Sequence, residues 1–142
     1  MKRWRFDSDG LKSPIRWPIH SEREVQDIIW LILRPYFDDL VDEESLHKFG
    51  HSSYKPDFAL PNLNLLLEVK YARLAADFKK IEKEIMQDSV GYMNNSKYNK
   101  IMVFIYDHSC SVQEHEETRR ALLQIDCIED VIIVSRPSQL PV

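Results

Sequence analysis

The chain has 142 residues and a formal net charge of −4, so it is long enough for one domain with its own core and too short for two. Hydrophobic residues make up 44% and charged residues 30%, which is the balance of a globular domain rather than of a disordered or fibrous chain. The longest apolar runs, residues 28–33 and 101–106, fall far short of the ~20 residues that cross a bilayer. We therefore expect no membrane-spanning segment and a cytoplasmic location.

Domain organisation is simple in this sequence. The two cysteines, Cys110 and Cys127, are too few for a disulfide framework. Residues 1–20 include two prolines and show neither a helical nor a strand period, so they are predicted to form an irregular lead-in. No repeat, low-complexity tract or Gly/Ser linker divides the remainder, and residues 21–142 are predicted to form a single domain.

The first helix is predicted to begin at Ser21, because Ser21-x-x-Glu24 has the form of a capping box. Apolar residues then recur at helical spacing, at Val25, Ile28, Ile29, Ile32 and Leu33. Pro35 limits the helix, since the residue before a proline avoids the α region. An acidic stretch follows over residues 38–50, and its later half is predicted to form a short strand or a loop.

The later elements alternate between strand and helix. Two strands are predicted over residues 54–60 and 63–71, joined by a tight Pro-Asn turn. A helix over residues 76–94 carries one apolar stripe, formed by Phe78, Ile81, Ile85, Ser89 and Tyr92. A strand over 101–106, a helix over 113–124 and a strand over 131–135 complete the chain. This order predicts an α/β fold with a mixed central sheet flanked by helices.

Charged side chains interrupt the two predicted central strands at Asp57, Glu68 and Lys70. Glu68 and Lys70 are two residues apart, so both point to one face of a strand whose other residues are apolar. A hairpin that pairs in register brings Asp57 beside them. Proteins hold Mg²⁺ by one or two carboxylates together with water and substrate phosphate, and a neighbouring lysine stabilises charge that develops on a phosphoryl group.

This segment resembles the PD-(D/E)XK nucleases, the restriction-endonuclease-like superfamily. Pro56-Asp57 is similar to the PD element, and Glu68-Val69-Lys70 is similar to the (D/E)XK element. The predicted elements fit the superfamily's αβββαβ core, with the first strand within residues 39–50, followed by a C-terminal αβ extension. Over residues 20–136, the S-E-x-x-V-Q, PDF, LLLEVK, D-x-x-x-Y and IYD segments are similar to a bacterial branch grouped with DpnII and MboI.

The resemblance implies a Mg²⁺-dependent endonuclease that hydrolyses DNA, with Mn²⁺ as a substitute ion. It implies that Asp57 and Glu68 bind the metal and that Lys70 positions the nucleophile. It also implies a bacterial setting in restriction or antiphage defence. A short chain leaves little room for a separate sequence-reading domain, so recognition is expected to come from a homodimer or from a larger defence complex.

In this superfamily the first helix often supplies another acid, and two candidates occur here. Glu24 stands three residues after Ser21, which gives it the capping-box role. Glu22 lies one turn before Gln26 and faces nearer the core. We therefore predict Glu22 as the catalytic and metal-binding acid of the helix, with Glu24 as the alternative. The helix dipole favours an acid in the first turn even where there is no active site.

The helix over residues 76–94 carries Asp88 and Tyr92, four residues apart. RecB-like members of the superfamily have Gln-x-x-x-Tyr on the equivalent helix, whereas this sequence has aspartate at the first position. We expect Asp88 and Tyr92 to surround the metal-binding groups, with Asp88 either hydrogen-bonded to Lys70 or at the solvent margin. The lysines of this helix suit contact with a phosphate backbone, but their mixing with glutamates favours a solvent-exposed face: Lys79, Lys80, Glu82, Lys83 and Glu84.

Two other functions stay open from the sequence. A nuclease fold also serves as a catalytically idle module for protein binding or assembly, since fold does not fix function, and the acid-rich residues 114–130 suit a protein partner. RNA as the substrate would use the same chemistry as DNA. His47 and His51 are four residues apart, but Gly50 lies between them and no cysteine is near, which argues against a zinc site.

Overall fold

One mixed sheet of five strands with three helices makes up the part of the chain that the structure, a computed structural model, describes: residues 18–42, 55–94 and 97–137. The helices are α1 (Glu22–Leu33), α2 (Asp77–Asn94) and α3 (Val112–Leu123). The strands are β1 (Val41–Asp42), β2 (Phe58–Leu60), β3 (Leu65–Ala72), β4 (Lys100–Asp107) and β5 (Ile128–Ser135). They lie side by side in chain order, antiparallel from β1 to β3 and parallel from β3 to β5. The predicted α/β fold is confirmed, with an αβββαβ order followed by one further helix and strand.

Helix α1 begins and ends as its sequence predicts. Ser21 is the N-cap, and its hydroxyl accepts a hydrogen bond from the Glu24 amide at 3.3 Å, which satisfies one of the amides that a helix start leaves without a partner. The Glu24 carboxylate accepts a hydrogen bond from the His20 amide, one residue earlier than in a strict capping box. The helix ends at Leu33, two residues before Pro35.

The β2–β3 hairpin sets the register of the charged segment. Phe58 pairs with Leu67, and Leu60 pairs with Leu65. A 3₁₀ turn over Pro61–Leu63 joins the strands. Asn64 closes this turn in the left-handed region, with a φ of 52°, which asparagine tolerates better than most residues do.

The sheet separates two apolar cores. On one face α1 covers the hairpin, and the core contains Val25, Leu67 and Val69. On the other face α2 and α3 cover the parallel strands, and the core contains Phe78, Ile105 and other apolar residues. The predicted stripe of α2 faces this second core, because Phe78, Ile81, Ile85, Ser89 and Tyr92 are all buried.

Several strand boundaries differ from the prediction. Strand β2 is shorter, since residues 55–57 precede it, and β3 runs on to Ala72. Strand β5 begins at Ile128 rather than at residue 131. It includes Asp130, which pairs with Met102 of β4 and whose carboxylate accepts a hydrogen bond from Arg119 of α3 at 2.8 Å. The prediction missed this start because the pairing of residues 128–130 with β4 is not visible in the local sequence pattern.

Strand β1 confirms a strand within residues 39–50, but it lies in the first half of the acidic stretch, and the later half, where the strand or loop was predicted, lies outside the described residues. Residues 1–17 of the predicted lead-in, Tyr54 of the first predicted hairpin strand, and His47 and His51 lie outside the described residues. Within the described part of the chain, no helix combines the length and the apolar character needed to cross a membrane.

Candidate active site

Asp57 and Glu68 face each other where β2 begins. The last pair of the hairpin is Phe58 with Leu67, so the next opposed residues in the same antiparallel register are Asp57 and Glu68. The predicted meeting of the two carboxylates is therefore present. Two details differ: Asp57 directly precedes β2 instead of lying within it, and β3 continues past Glu68 and Lys70 instead of ending there.

Two hydrogen bonds of 2.7 Å fix the Asp57 carboxylate. The Val69 amide donates to Oδ2, and the Gln26 side-chain amide donates to Oδ1. The first bond extends the hairpin ladder, because a carboxylate oxygen accepts where a strand carbonyl would otherwise do so. The second bond ties the site to α1. Gln26 was not predicted as a site residue, although it lies in the S-E-x-x-V-Q segment one turn after Glu22.

Glu68 is buried, with only 4% of its surface exposed. The Tyr92 hydroxyl donates a hydrogen bond to its Oε2 at 3.2 Å, and Lys70 Nζ lies 3.3 Å from its Oε1. Burial and the Asp57 charge raise the pKa of Glu68 to about 8, against the opposing effect of Lys70. In the metal-free protein this carboxyl group therefore holds its proton at neutral pH, because burial beside a like charge disfavours the ionised form.

Carboxylates surround Lys70. Its Nζ lies 3.3 Å from Glu68 and 3.6 Å from Glu84, and 13% of the lysine side chain is exposed. Burial by itself lowers the pKa of Lys70, but Glu68, Glu22 and Glu84 together raise it above its usual value. The ammonium group consequently keeps its positive charge at neutral pH.

Glu84 takes the place beside Lys70 that was considered for Asp88. Asp88 is half-buried, and burial raises its pKa. The positive charge of Lys70 has the opposite effect on that pKa. Among the described residues, however, the ion pairs of Lys70 are with Glu68 and Glu84. Glu84 keeps part of its predicted exposure, since 38% of its side chain is accessible, and it also reaches Lys70 as well as Lys80 because α2 packs on β3.

The two acids at the start of α1 occupy different environments. Burial raises the pKa of Glu22, and Lys70 opposes that shift, as does a backbone hydrogen bond from Tyr71. Glu24 is exposed, and its carboxylate binds the His20 amide. The structure thus brings Glu22 to Lys70 and leaves Glu24 at the helix cap.

Two cavities lie near these elements. One of about 210 Å³ opens beside Gln26 and is also lined by Arg23, Asp27, Trp30, Asp42 and Phe58. Another of about 390 Å³ lies between the first turns of α2 and α3 and contains none of the predicted site residues. In the described ranges no group of three or more His, Cys, Asp or Glu residues is arranged to hold a metal ion. A Mg²⁺ site built on two carboxylates does not need such a group.

An acid before β2 and a Glu-x-Lys segment on β3, within this mixed sheet, define the restriction-endonuclease-like class of the PD-(D/E)XK nucleases. The sequence model described as REase_DpnII-MboI matches residues 1–138. The chain therefore belongs to the DpnII-MboI restriction endonuclease family. Members of this class are endonucleases, and restriction endonucleases generally use divalent metal ions. No curated protein and no solved structure matched the chain.

Proposed function

We propose that the chain is a Mg²⁺-dependent endonuclease that hydrolyses phosphodiester bonds of DNA, with Asp57, Glu68, Lys70 and Glu22 as its functional groups. The observation that carries the proposal is the opposition of Asp57 and Glu68 beside a charged lysine. Burial and Asp57 raise the pKa of Glu68 to about 8, so this arrangement lowers stability at neutral pH. Strongly shifted groups of this kind are concentrated at functional sites.

The donor set fits a hard divalent cation. Mg²⁺ in proteins is usually held by one or two carboxylates, with waters and substrate phosphate completing its shell. Asp57 and Glu68 would hold the ion, and a positive charge there would offset the burial and the repulsion from Asp57 that keep Glu68 protonated. A bound ion supplies a Lewis acid that acidifies water and stabilises negative charge on a phosphoryl group. Mn²⁺, which also accepts oxygen ligands, is expected to replace Mg²⁺.

Lys70 acts as a fixed positive charge in this proposal. Its ammonium group is held between Glu68 and Glu84, and the surrounding carboxylates keep its pKa raised. It therefore donates hydrogen bonds to the attacking water or to a phosphoryl oxygen. Because it stays protonated at neutral pH, it does not serve as the general base.

Gln26 and Tyr92 position the two carboxylates. Gln26 donates to Asp57 at 2.7 Å, and Tyr92 donates to Glu68 at 3.2 Å. Each bond fixes the rotamer of one proposed metal-binding side chain. Gln26 acts from α1 and Tyr92 from α2, and these two helices lie on opposite faces of the sheet. Such supporting hydrogen bonds orient ligands and commonly affect metal affinity.

Matched substitutions in α1 separate its two acids. Glu22→Ala is expected to reduce the rate of DNA cleavage by about 10–100-fold, because it removes a carboxylate beside Lys70. Glu24→Ala is expected to leave that rate unchanged and to lower the free energy of unfolding by about 0.5–1 kcal/mol, because it removes the acceptor of the His20 amide. Cleavage rates and thermal melts measure both effects. Loss of activity in Glu24→Ala alone would move the catalytic assignment to Glu24.

The proposed biological setting follows from the family. We infer that the enzyme acts on DNA in the bacterial cytoplasm, in restriction or antiphage defence, as a homodimer or as the effector of a larger complex. Membership of the DpnII-MboI restriction endonuclease family supports this setting.

Cleavage assays on supercoiled plasmid, single-stranded DNA and RNA test the proposed function. We expect the plasmid to be cut with Mg²⁺ or Mn²⁺ and to stay intact in EDTA. Cleavage of RNA alone would overturn the choice of DNA as the substrate. Absence of all cleavage, together with no metal-dependent rise in melting temperature, would overturn the enzyme assignment and favour an idle module.

A further inference from the structure

Helix α1 carries more apolar side chains than the sheet covers. Residues 28–33 are six consecutive apolar residues, whereas a helix on the surface of a domain needs only one apolar stripe toward the core. The inner side of α1 packs on the hairpin. On its outer side Leu31, Ile32 and Tyr36 are 60%, 55% and 81% exposed. We call these three residues, together with the partly buried Ile28, the α1 patch.

The members of the α1 patch lie side by side on the helix. Ile28, Leu31 and Ile32 are three and four residues apart, which makes them neighbours on a helical surface. The Tyr36 amide bonds to the Leu33 carbonyl at 2.9 Å, so the chain keeps turning past the end of α1 and Tyr36 follows Ile32 by one turn. Contiguous exposed apolar surface of this kind is typical of an interaction site.

Two ion pairs border the α1 patch, one at each end. Arg23 lies 3.4 Å from Asp27, and Arg34 lies 3.9 Å from Asp38. All four side chains are at least 46% exposed, and exposed pairs of this spacing add little to the stability of a helix. Along the chain the order is positive, negative, apolar, positive, negative. A copy that runs in the opposite direction therefore presents an anion to each cation, so the surface is complementary to itself.

We propose that a second copy of this chain docks on the α1 patch, with the two α1 helices antiparallel about a two-fold axis. The axis passes close to Leu31, and the same surface is used on both copies. Arg23 lies opposite the partner's Asp38, because both are about two helical turns from the axis. Asp27 lies opposite the partner's Arg34, because both are about one turn from it. Of the two assemblies in the proposed function, this inference selects the homodimer and assigns its surface.

The interface adjoins the proposed active site. Arg23 and Asp27 line the cavity of about 210 Å³ beside Gln26, and the Gln26 side chain donates to Asp57 at 2.7 Å. In the antiparallel arrangement the partner's Asp38 faces Arg23 at the rim of this cavity. The second copy consequently contributes a charged residue next to the helix that positions Asp57.

Sedimentation and light scattering over a range of protein concentrations test the interface without requiring cleavage. The wild type is expected to reach twice the 16.9 kDa mass of the chain. Leu31→Glu is expected to weaken dimerisation about 100-fold, because a tenfold cost at the centre of a two-fold interface counts twice. Val90→Glu is the matched control, since Val90 is an apolar residue of α2 that is 62% exposed. It should dimerise like the wild type.

A charge exchange tests the antiparallel arrangement. Arg23→Glu brings an acid against the partner's Asp38 and is expected to weaken dimerisation about tenfold at low salt. Arg23→Glu/Asp38→Arg restores opposite charges across the interface, so it should dimerise within about threefold of the wild type. The same double variant places like charges within both ion pairs of α1. If these pairs served the helix alone, the double variant would not recover.

The outcomes separate the interface from the proposed function. A wild type that is monomeric at every concentration would overturn the interface, even if it cleaves DNA. A dimer that Leu31→Glu leaves intact would overturn α1 as its surface, and a double variant that dimerises no better than Arg23→Glu would overturn the antiparallel arrangement. The expected dimer in a protein that never cleaves DNA would instead overturn the proposed function and leave the interface standing. Melting temperatures confirm that each variant is folded.

Discussion

Replacing Glu68 by glutamine is expected to abolish cleavage and to make the metal-free protein more stable at pH 8. Cleavage is lost because the neutral amide no longer holds a cation beside Asp57. Stability rises because Glu68 is 4% exposed and lies opposite Asp57, so its charged form is disfavoured in the folded state. Glutamine keeps an oxygen that accepts the bond from the Tyr92 hydroxyl.

The pH dependence of this stability difference has a definite sign. The pKa of Glu68 rises from 4.5 to about 8 on folding, so its contribution to stability is fully present below about pH 4.5 and declines as the pH rises to about 8. We therefore expect Glu68→Gln and the wild type to be similar in stability at pH 4–5. The variant should be about 2–4 kcal/mol more stable at pH 8–9 in EDTA, which corresponds to a melting temperature roughly 5–10 °C higher.

Glu117→Gln is a suitable control for the glutamine substitution, because Glu117 is an exposed acid of α3. It should match the wild type in cleavage and across the pH range. A Glu68→Gln variant that melts below the wild type at pH 8 would show that Glu68 is a charged, stabilising partner of Lys70. That result would contradict the proposal that Glu68 is buried beside Asp57 for metal binding, at the expense of stability.

Replacing Lys70 by alanine is expected to reduce the cleavage rate by about 10²–10³-fold or more, because the site loses its fixed positive charge. It should also lower the free energy of unfolding at neutral pH by about 2 kcal/mol, less than for a fully buried ion pair because Glu68 already holds a proton there. Lys70→Arg retains the charge but not the compact shape of the ammonium group, so it should keep most of the stability and little of the activity.

Lys80→Ala provides a matched control, since Lys80 also pairs with Glu84, at 3.7 Å, and is 75% exposed. We expect it to leave the cleavage rate unchanged. The double variant Glu68→Gln/Lys70→Ala should be more stable than Lys70→Ala above about pH 8, because it lacks the buried acid that ionises there without a lysine beside it, and it should stay inactive. Recovery of activity together with stability would show that Lys70 supports the fold and has no part in the chemistry.

Much of the fold was predictable because it depends on local spacing. The start of α1 follows from Ser21 and Glu24, and the buried stripe of α2 follows from apolar residues at helical intervals. The beginning of β5 was missed because Asp130 is unfavourable in an isolated strand. Its place there follows from the pairing of β5 with β4, which joins residues distant in the sequence.

The part of the candidate site that depends on local spacing was also predictable. The opposition of Asp57 and Glu68 follows from the two-residue period of the strands and the short turn between them. The contacts of Gln26 and Glu84 depend on how far each helix extends along the sheet. Glu84 and Asp88 lie one turn apart, about 6 Å along the axis, and the sequence pattern identifies their helix but not which turn lies over Lys70.

The claim that Asp57 and Glu68 form a divalent-metal site for phosphodiester hydrolysis is tested most directly by Asp57→Asn in a plasmid-cleavage assay. Asparagine keeps an acceptor for the Val69 amide, and Gln26 can rotate its own amide to match. Asp126→Asn, at an exposed loop position, is the control. The expected result is Mg²⁺-dependent cleavage by the wild type and by Asp126→Asn, and a rate at least about 100-fold lower for a folded Asp57→Asn protein. Equal cleavage by all three proteins, or undiminished wild-type cleavage in EDTA, would contradict the assignment.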